Sequence, residues 1–411
     1  MPGSLPDGEP APAGGTLPDS ALAGLGERPF GIYVHVPFCT TRCGYCDFNT
    51  YTAAELGGSA GTAAVSLDSY PDLAIAEIGF ARTVLGGAEV PVRTVFFGGG
   101  TPTLLPPAAF GRILRAIDAE FGLVPVAEVT TEANPESVSQ ATLSGLRDQG
   151  VNRVSFGMQS AVPSVLAILD RVHQPGRPGR CAAWARAAGF DHVSLDLIYG
   201  TPGETEADWR RSLDAALAAG PDHVSAYALT VEAGTRLAAR VRRGELAPPD
   251  DDVLADRYLA ADEVLTAGGL RWCEISNWAA GPASGCAHNM LYWTGGDWWG
   301  IGPGAHSHVG GTRWWNVRHP AAYGARITAG VSPGQAREVL SETERQLERV
   351  MLLIRLAEGC PVAVLGPAGQ ANLPAVVAGG LASSEAYARG RVVLTRRGRL
   401  LADTVTRKLT E

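Results

Sequence analysis

The sequence predicts an α/β protein whose core is a parallel sheet of six strands. From residue 31 onward, short apolar runs alternate with polar loops and amphipathic stretches. This β–α alternation is typical of parallel sheets with right-handed crossover connections. The runs are apolar on both faces near their middles, as the wall of a barrel requires. We therefore expect a barrel-like fold whose working residues gather at the carboxyl ends of the strands.

The pattern sets the order of the elements along the chain. The strands are predicted at 32–36, 93–97, 128–132, 152–156, 192–198 and 223–229. The helices are predicted at 71–85, 142–150, 207–220 and 251–269. A charged, proline-containing linker and an aromatic, glycine-rich block at 272–315 follow the last strand. The tail from about 338 is expected to be helical and to end in a small hairpin and a last helix.

Composition narrows the class of protein. A net charge of −8 over 411 residues argues against a general nucleic-acid binder. No run of 18 apolar residues occurs, so no membrane span is expected. Residues 1–28 combine glycine, proline and alanine with acidic residues, which predicts a disordered leader and not a secretory signal. We therefore expect a cytoplasmic protein with reduced cysteines.

Three of the seven cysteines, Cys39, Cys43 and Cys46, fall within eight residues directly after the first predicted strand. A zinc site normally has four protein ligands, usually as two separated pairs, and no second pair follows. Purely structural cysteines would be buried and unclustered. A [4Fe–4S] cluster with three thiolate ligands would leave one iron open to a small molecule. The spacing favours the cluster over the other two interpretations.

Polar residues and glycines follow the other predicted strands. "GGGTP" follows the second strand, where glycine allows a ligand to approach the backbone but also suits a simple tight turn. The later strand ends carry Glu132, Gln159 with Arg171 twelve residues on, and Asp196. One such carboxylate alone is more often a cap or a surface ion pair. Their succession beside the cysteine loop indicates one ligand site.

The Cys-x3-Cys-x2-Cys loop after the first of six strands resembles the radical S-adenosylmethionine (SAM) superfamily. Further segments resemble the oxygen-independent coproporphyrinogen III oxidase-like proteins, and most of all their heme-chaperone branch. These segments are YVHVPFC, FFGGGTPTLL, TEANPE, RVSFGMQS, LDLIYGTPGET and HNMLYWTGGDWWGIGPGAHS. The resemblance runs from about residue 29 to the C-terminus. It implies a three-quarter (β/α)6 barrel followed by a smaller, mixed, mostly helical HemN-type C-terminal domain.

The resemblance also implies boundaries and site residues. The radical SAM core domain would span 29–245 and the C-terminal domain 246–411, after the leader at 1–28. Cys39, Cys43 and Cys46 would ligate the cluster. Tyr45 would pack against the adenine of SAM, and the guanidinium of Arg171 would suit its carboxylate. The positions matching SAM contacts are Tyr33, Tyr45, Gly99, Gly100, Thr101, Glu132, Gln159, Arg171 and Asp196.

Phe48 separates two functions within this group. The coproporphyrinogen dehydrogenases carry a further cysteine two residues after the third ligand, where this chain has Phe48. The difference places the chain in the chaperone branch, so the decarboxylating activity is not transferred to it. The alternative is a radical SAM enzyme acting on coproporphyrinogen III or another tetrapyrrole, because the positions matching the SAM site are intact. Whether the protein is an enzyme therefore stays open.

"HNMLYW" at 288–293 is the second chemical motif. His288 is a candidate axial ligand for heme iron, with four aromatic rings nearby in sequence. The spacing alone favours a small aromatic core in which His288 and Asn289 form turn hydrogen bonds. The resemblance, whose HNxxYW signature is associated with heme, favours the ligand. The alternative ligands are His306, His308 and Cys286, while Cys181, Cys273 and Cys360 are expected in the core or at a helix end.

The resemblance implies three cofactors or ligands: a [4Fe–4S] cluster, SAM and heme. The expected partners are heme and acceptor hemoproteins such as respiratory-chain components. An electron donor is also expected if SAM is cleaved. The sequence leaves peripheral membrane contact and homodimer formation open, and no nucleic-acid partner is expected.

Overall fold

The computed structural model describes residues 8–56 and 65–411. The strands are β1 (Glu9–Pro10), β2 (Phe30–Val36), β3 (Val92–Gly99), β4 (Leu123–Ala133), β5 (Arg153–Gln159), β6 (His192–Tyr199), β7 (His223–Ala228), β8 (Arg271–Glu274), β9 (Asn277–Ala279), β10 (Asp297–Ile301), β11 (His306–Val309), β12 (Thr312–Asn316), β13 (Gly334–Val339), β14 (Cys360–Pro361) and β15 (Arg391–Val392). The helices are α1 (Asp19–Leu22), α2 (Ala53–Leu56), α3 (Tyr70–Leu85), α4 (Pro107–Phe121), α5 (Gln140–Asp148), α6 (Pro163–Ile168), α7 (Arg177–Ala187), α8 (Glu206–Ala218), α9 (Arg236–Arg242), α10 (Asp251–Ala267), α11 (Ala287–Trp293), α12 (Pro320–Thr328), α13 (Glu342–Leu353), α14 (Pro367–Ala378), α15 (Ser384–Ala388), α16 (Arg396–Leu400) and α17 (Ala402–Thr410).

Strands β2 to β7 pair in chain order and run parallel, which confirms the predicted α/β core. The four predicted helices correspond to α3, α5, α8 and α10. Helix α8 starts one residue earlier than predicted because Thr205 and Asp208 form a reciprocal capping box at its first turn. Local hydrogen bonding thus sets a boundary that the hydrophobic pattern alone places only approximately.

The side chains of β3 alternate between the helical layer and the barrel interior. Phe97 is fully buried and packs on Phe110 of α4 at a ring-centroid distance of 4.5 Å. Burying one such side chain contributes roughly 1.5–3 kcal/mol. Thr94 lies on the opposite face, where its hydroxyl meets His288. The outward face therefore stabilises the fold, while the inward face is available to line a site.

The aromatic block covers both edges of the six-stranded core. β9 pairs antiparallel with β7 at one edge, and β10 pairs parallel with β2 at the other. Helix α11 lies between β9 and β10 in the chain. These strands satisfy backbone groups that an incomplete barrel would leave exposed. The sheet thus continues beyond the core predicted at 29–245 into the predicted C-terminal domain at 246–411.

The N-terminal segment differs from the disordered leader expected from its composition. Among the described residues 8–28, Glu9 and Pro10 pair with β13, and Ala21 is fully buried. The Glu9 carboxylate lies 2.6 Å from Nε of Arg337. A segment too poor in apolar residues to form its own core can still be ordered by docking on an existing sheet edge. Residues 1–7 of the predicted leader lie outside the described residues.

The tail forms a small core of its own, but the predicted terminal hairpin is wrong. The antiparallel partner of β15 is β14, about thirty residues earlier in the chain, and α16 and α17 follow. The short apolar run of β15 does not specify by itself which segment it pairs with. Arg399 joins this core to the barrel, with its guanidinium 3.7 Å from the ring centroid of Trp272. Within the described parts of the chain, no helix has the length and apolar character needed to span a membrane.

A buried carboxylate, Glu77 on α3, ties the barrel to the C-terminal region. It accepts hydrogen bonds from Gly302 N at 2.7 Å, Asn316 Nδ2 at 2.7 Å and the Tyr323 hydroxyl at 2.6 Å. Burial raises its pKa to about 7, against the lowering effect of these three bonds. The folded state therefore retains a proton on Glu77 at pH values where the unfolded chain has lost it.

This difference predicts a pH-dependent stability. Since the folded pKa of Glu77 lies above its ordinary value of 4.5, stability should fall as pH rises from about 4.5 to about 7. The shift corresponds to at most about 3 kcal/mol. We expect Glu77→Gln, which mimics the protonated acid, to match the wild type near pH 5 and to exceed it in stability near pH 8. Denaturant unfolding at both pH values measures this.

Glu385, whose side chain is 81% exposed, provides the control. Glu385→Gln should keep the wild-type pH dependence. An unchanged pH dependence in Glu77→Gln would contradict the assignment.

Candidate functional site

A cavity of about 480 Å³ opens at the carboxyl ends of the parallel strands. Most of the residues predicted for the site line it, although they are far apart in the chain. They are Cys39, Cys43, Tyr45, Cys46, Gly99, Gly100, Glu132, Gln159, Arg171 and Asp196. Because parallel strands place their carboxyl ends at one edge of the sheet, the fold brings these side chains together.

The cysteine loop leaves β2 and returns to it. Cys39 N donates to Tyr51 O at 3.0 Å, and Cys46 N donates to Cys43 O at 3.3 Å. The Sγ atom of Cys43 lies 3.5 Å from Nη1 of Arg171. All three thiols are free, and burial raises the pKa of Cys46 to about 12. The loop thus presents three thiols to one cavity beside a guanidinium.

The donor set fits a cluster better than a single ion. In the described ranges 8–56 and 65–411, no three His, Cys, Asp or Glu side chains converge on a point that could hold one metal ion. The three thiols instead share one cavity wall. In a [4Fe–4S] cluster each thiolate binds a different iron, so separated sulfurs suit it. Phe48 lines the same cavity and is 59% exposed.

Gly99, the last residue of β3, and Gly100 after it are required by the protein's own packing. Gly99 has φ +105°, a conformation that L side chains rarely adopt. A Cβ atom on Gly100 would lie 2.4 Å from Phe38 O. Gly99 N donates to Glu132 Oε2 at 3.2 Å. The glycines therefore bring the loop against β2 and orient Glu132, in addition to any access that they allow a ligand.

Two acidic side chains lie in the cavity wall with raised pKa values. Burial, and next the charge of Asp196, raises the pKa of Glu132 to about 8. Burial also raises the pKa of Asp196, whose carboxylate accepts a 2.8 Å hydrogen bond from Ser155 Oγ. With its pKa at about 8, the Glu132 carboxyl can donate or accept hydrogen bonds near neutral pH, and the oxygens of Asp196 can accept them, which suits ligand hydroxyl groups.

Arg171 and Gln159 close the side of the cavity next to β5. Arg171 is 9% exposed, and its Nη2 donates to Gly157 O at 2.9 Å. Gln159 has φ +60°, which is uncommon for a residue with a side chain. Such a conformation costs on the order of 1–3 kcal/mol and is typically retained at functional sites.

Two of the positions that match SAM contacts lie behind the cavity wall. The Tyr33 hydroxyl is 3.0 Å from His35 Nδ1, and its ring stacks on Phe96. The Thr101 hydroxyl accepts from Asn134 Nδ2 at 2.9 Å and lies 3.8 Å from Cys39 Sγ. Both residues therefore contact wall residues and do not line the cavity.

Other wall residues were not predicted from the sequence. They are Asn134, Arg153, Ser155, Ser225 and Tyr227. They follow the two-residue period of β4, β5 and β7, on the same inward faces as Glu132 and Gln159. The two-residue spacing of these positions along each strand is visible in the sequence. It predicts wall residues only once the face of each strand that points into the barrel is known.

His288, the candidate heme ligand, lies in the interior of the barrel. The residue is 1% exposed. Its Nδ1 is 2.8 Å from the Thr94 hydroxyl and its Nε2 is 2.7 Å from the Tyr292 hydroxyl. Burial lowers the pKa of His288 to about 3, so the ring is neutral. Both ring nitrogens are engaged, and iron ligation would have to break one of these hydrogen bonds.

The rest of the HNxxYW motif is also engaged within the protein. Asn289 and Trp293 lie near the buried carboxylate of Glu274 and oppose the rise in its pKa that burial causes, and Asn289 also lines the cavity. Among the alternative ligands, Cys286 is buried with its Sγ 3.6 Å from Glu128, and both nitrogens of His308 lie near backbone groups. His306 is exposed and stacks on Trp315. In this structure the motif joins α11 to the barrel.

The fold and the three-cysteine loop define a radical SAM protein. The family model described as the radical SAM superfamily matches residues 33–216. Coproporphyrinogen III oxidase (HemN) from Escherichia coli has a similar structure, with a TM-score of 0.79 over 95% of this chain and 92% of that chain. At 22% sequence identity, this likeness shows a shared fold.

Full-length relatives narrow the family further. The chain is 53% identical to heme chaperone HemW from Mycobacterium tuberculosis, over 94% of this chain and 96% of the relative. It is 35% identical to heme chaperone HemW from Synechocystis, over 85% of this chain and 84% of the relative. The chain belongs to the heme chaperone HemW family. The predicted membership of the heme-chaperone branch is confirmed.

Proposed function

We propose that this protein is a heme chaperone that binds a [4Fe–4S] cluster, SAM and heme and transfers heme to acceptor hemoproteins. The full-length similarity to HemW carries the proposal. The cavity supports it, because the three thiols and most residues matching SAM contacts share one wall. Phe48 supports the absence of coproporphyrinogen oxidase activity, since a phenyl ring cannot replace a thiol in ligand or acid–base chemistry.

Different residues of the cavity would bind the cluster and SAM. Cys39, Cys43 and Cys46 would hold the cluster, which would supply an open iron for the amino and carboxylate groups of SAM. Arg171 would bind that carboxylate. The remaining polar groups, Glu132 and Asp196, would bind the ribose hydroxyls, and the ring of Tyr45 would face the adenine.

For the heme ligand, the geometry favours His306 over His288, the residue that the sequence motif suggests. An imidazole must offer a free nitrogen to iron, and both nitrogens of His288 are engaged. His306 is an exposed alternative on the adjacent strand β11. We therefore propose His306 as the first ligand to test and His288 as a residue that positions α11.

Assays of heme transfer and of tetrapyrrole turnover distinguish a heme chaperone from a radical SAM enzyme that acts on a tetrapyrrole. Anaerobic, cluster-loaded protein carrying heme should pass it to apomyoglobin, detected as growth of the myoglobin Soret band. The same preparation with SAM and a reductant should not convert coproporphyrinogen III. Phe48→Cys should not by itself create turnover.

Sustained conversion of coproporphyrinogen III by the wild type would favour the enzyme instead. Failure to bind heme at all would contradict the chaperone.

A further inference from the structure

The cavity continues below the acidic pair to a floor formed by Thr130, Arg153, Ser194 and His223. Arg153 and His223 are the first residues of β5 and β7, Ser194 is the third residue of β6, and Thr130 lies in the second half of the longer strand β4. Thr130 precedes Glu132 by two positions on β4, so the floor lies about 7 Å deeper than the acidic pair. None of these four residues matches a cluster or SAM position. The floor is therefore a separate part of the cavity.

Arg153 supplies a buried charge with an unused donor. Its side chain is 2% exposed, and Nη1 donates to Ser284 O at 2.9 Å. Nη2 has no hydrogen-bond partner among the described residues. Glu128 lies 3.9 Å from Nη1, but its carboxylate already accepts from the backbone N–H groups of Ala287 and His288. A buried guanidinium N–H without an acceptor is costly, which points to an acceptor from a ligand.

A second unused donor lies next to Arg153. Thr130 is 1% exposed, and its Oγ1 has no partner within the described ranges. Thr130 and Arg153 are register partners across β4 and β5, so their side chains are neighbours on one face. On the other side of the floor, Ser194 Oγ and His223 Nδ1 form a hydrogen bond of 2.7 Å, so neither atom is left without a partner.

The charges around the floor are compatible with an anion. Burial, and next the charge of Arg153, lowers the pKa of His223 well below its usual value, so the imidazole is neutral. Asp196, two residues beyond Ser194 on β6, accepts from Ser155, and burial raises its pKa. Glu128, 3.9 Å from Arg153 Nη1, is the acid paired with the guanidinium, and its carboxylate also accepts from the backbone of α11. The Nη2 donor of Arg153 is not used by this pair and remains for a ligand oxygen.

We propose that this floor is a subsite for the carboxylate group of a ligand that shares the barrel with the SAM position. A carboxylate accepts hydrogen bonds through two oxygens, and Arg153 and Thr130 offer two adjacent donors. A phosphate dianion presents three acceptor oxygens and would need more donors than these two. The proposal depends on the cavity alone, and it holds or fails independently of heme transfer.

Acetate and its neutral analogue acetamide test the subsite on cluster-loaded protein with SAM present. Saturation-transfer NMR measures both affinities through the methyl protons. Acetate should bind at least tenfold more tightly than acetamide. Arg153→Met should weaken acetate binding at least tenfold, and Thr130→Val several-fold. Arg112→Met, which removes an exposed arginine paired with Asp72, is the control and should leave acetate binding unchanged.

Several results would overturn the proposal. They are equal acetate affinity in the wild type and Arg153→Met, equal affinity for acetate and acetamide, or no saturable acetate binding below about 100 mM. Displacement of acetate by lower concentrations of inorganic phosphate would also overturn it. If Arg153→Met does not fold, the acetate affinities of Arg153→Lys and Thr130→Val test the subsite instead. Wild-type acetate affinity in both would then reject the subsite.

Discussion

Replacing Cys39, Cys43 or Cys46 by alanine is expected to abolish cluster assembly. The three thiols line one cavity, and each would bind a different iron. Anaerobic reconstitution of the wild type should yield about four irons and four sulfides per chain. Each single variant should lose most of this content, together with the associated visible absorption. Iron and sulfide analysis with electron paramagnetic resonance of the reduced protein measures the loss.

Two further variants show whether the loss is specific. Cys360→Ala removes a buried thiol from the small C-terminal core and should load normally. Glu132→Ala should also retain the cluster but weaken SAM binding, with a loss of roughly 1–3 kcal/mol for one polar contact. Normal loading in the triple cysteine variant would reject the assignment of the cluster ligands.

Replacing His288 by alanine is expected to destabilise the protein by about 2–4 kcal/mol. The change leaves the buried hydroxyls of Thr94 and Tyr292 without their partner. It also removes a ring stacked on Phe96 at a centroid distance of 5.3 Å. Denaturant unfolding of the purified variant measures the loss. His306→Ala, at an exposed position, should change stability by no more than about 0.5 kcal/mol.

The heme spectrum of the same two variants separates a structural role from ligation. If His288 only positions α11, the folded fraction of His288→Ala should keep the wild-type Soret band. His306→Ala should shift the Soret band or weaken heme retention. A His288→Ala protein with wild-type stability and a lost Soret band would instead return the ligand role to His288.

The local pattern of the sequence was sufficient to predict the parallel core and the end of the strands at which the cavity lies. Six apolar runs separated by helical periodicity predict the parallel strands, because burial on both faces requires continuous apolar residues. Cys39, Cys43 and Cys46 are close in sequence, so any fold keeps them together. Glu132, Gln159 and Asp196 follow strands, and parallel strands bring their carboxyl ends to one edge.

Contacts between distant segments were decided only by the tertiary structure. The sequence does not show that β9 and β10 pair with opposite edges of the core, or that Glu9 and Pro10 pair with β13. Each pairing depends on which strand lies at an open edge of the sheet, and that is known only once the sheet is assembled. The sequence could not show that Arg153 and Thr130 meet at the cavity floor. For His288, spacing left a core role and a ligand role open, and the hydrogen bonds to Thr94 and Tyr292 favour the core role. Composition and spacing report what a side chain can do, whereas burial and partners determine which of those capacities remains available.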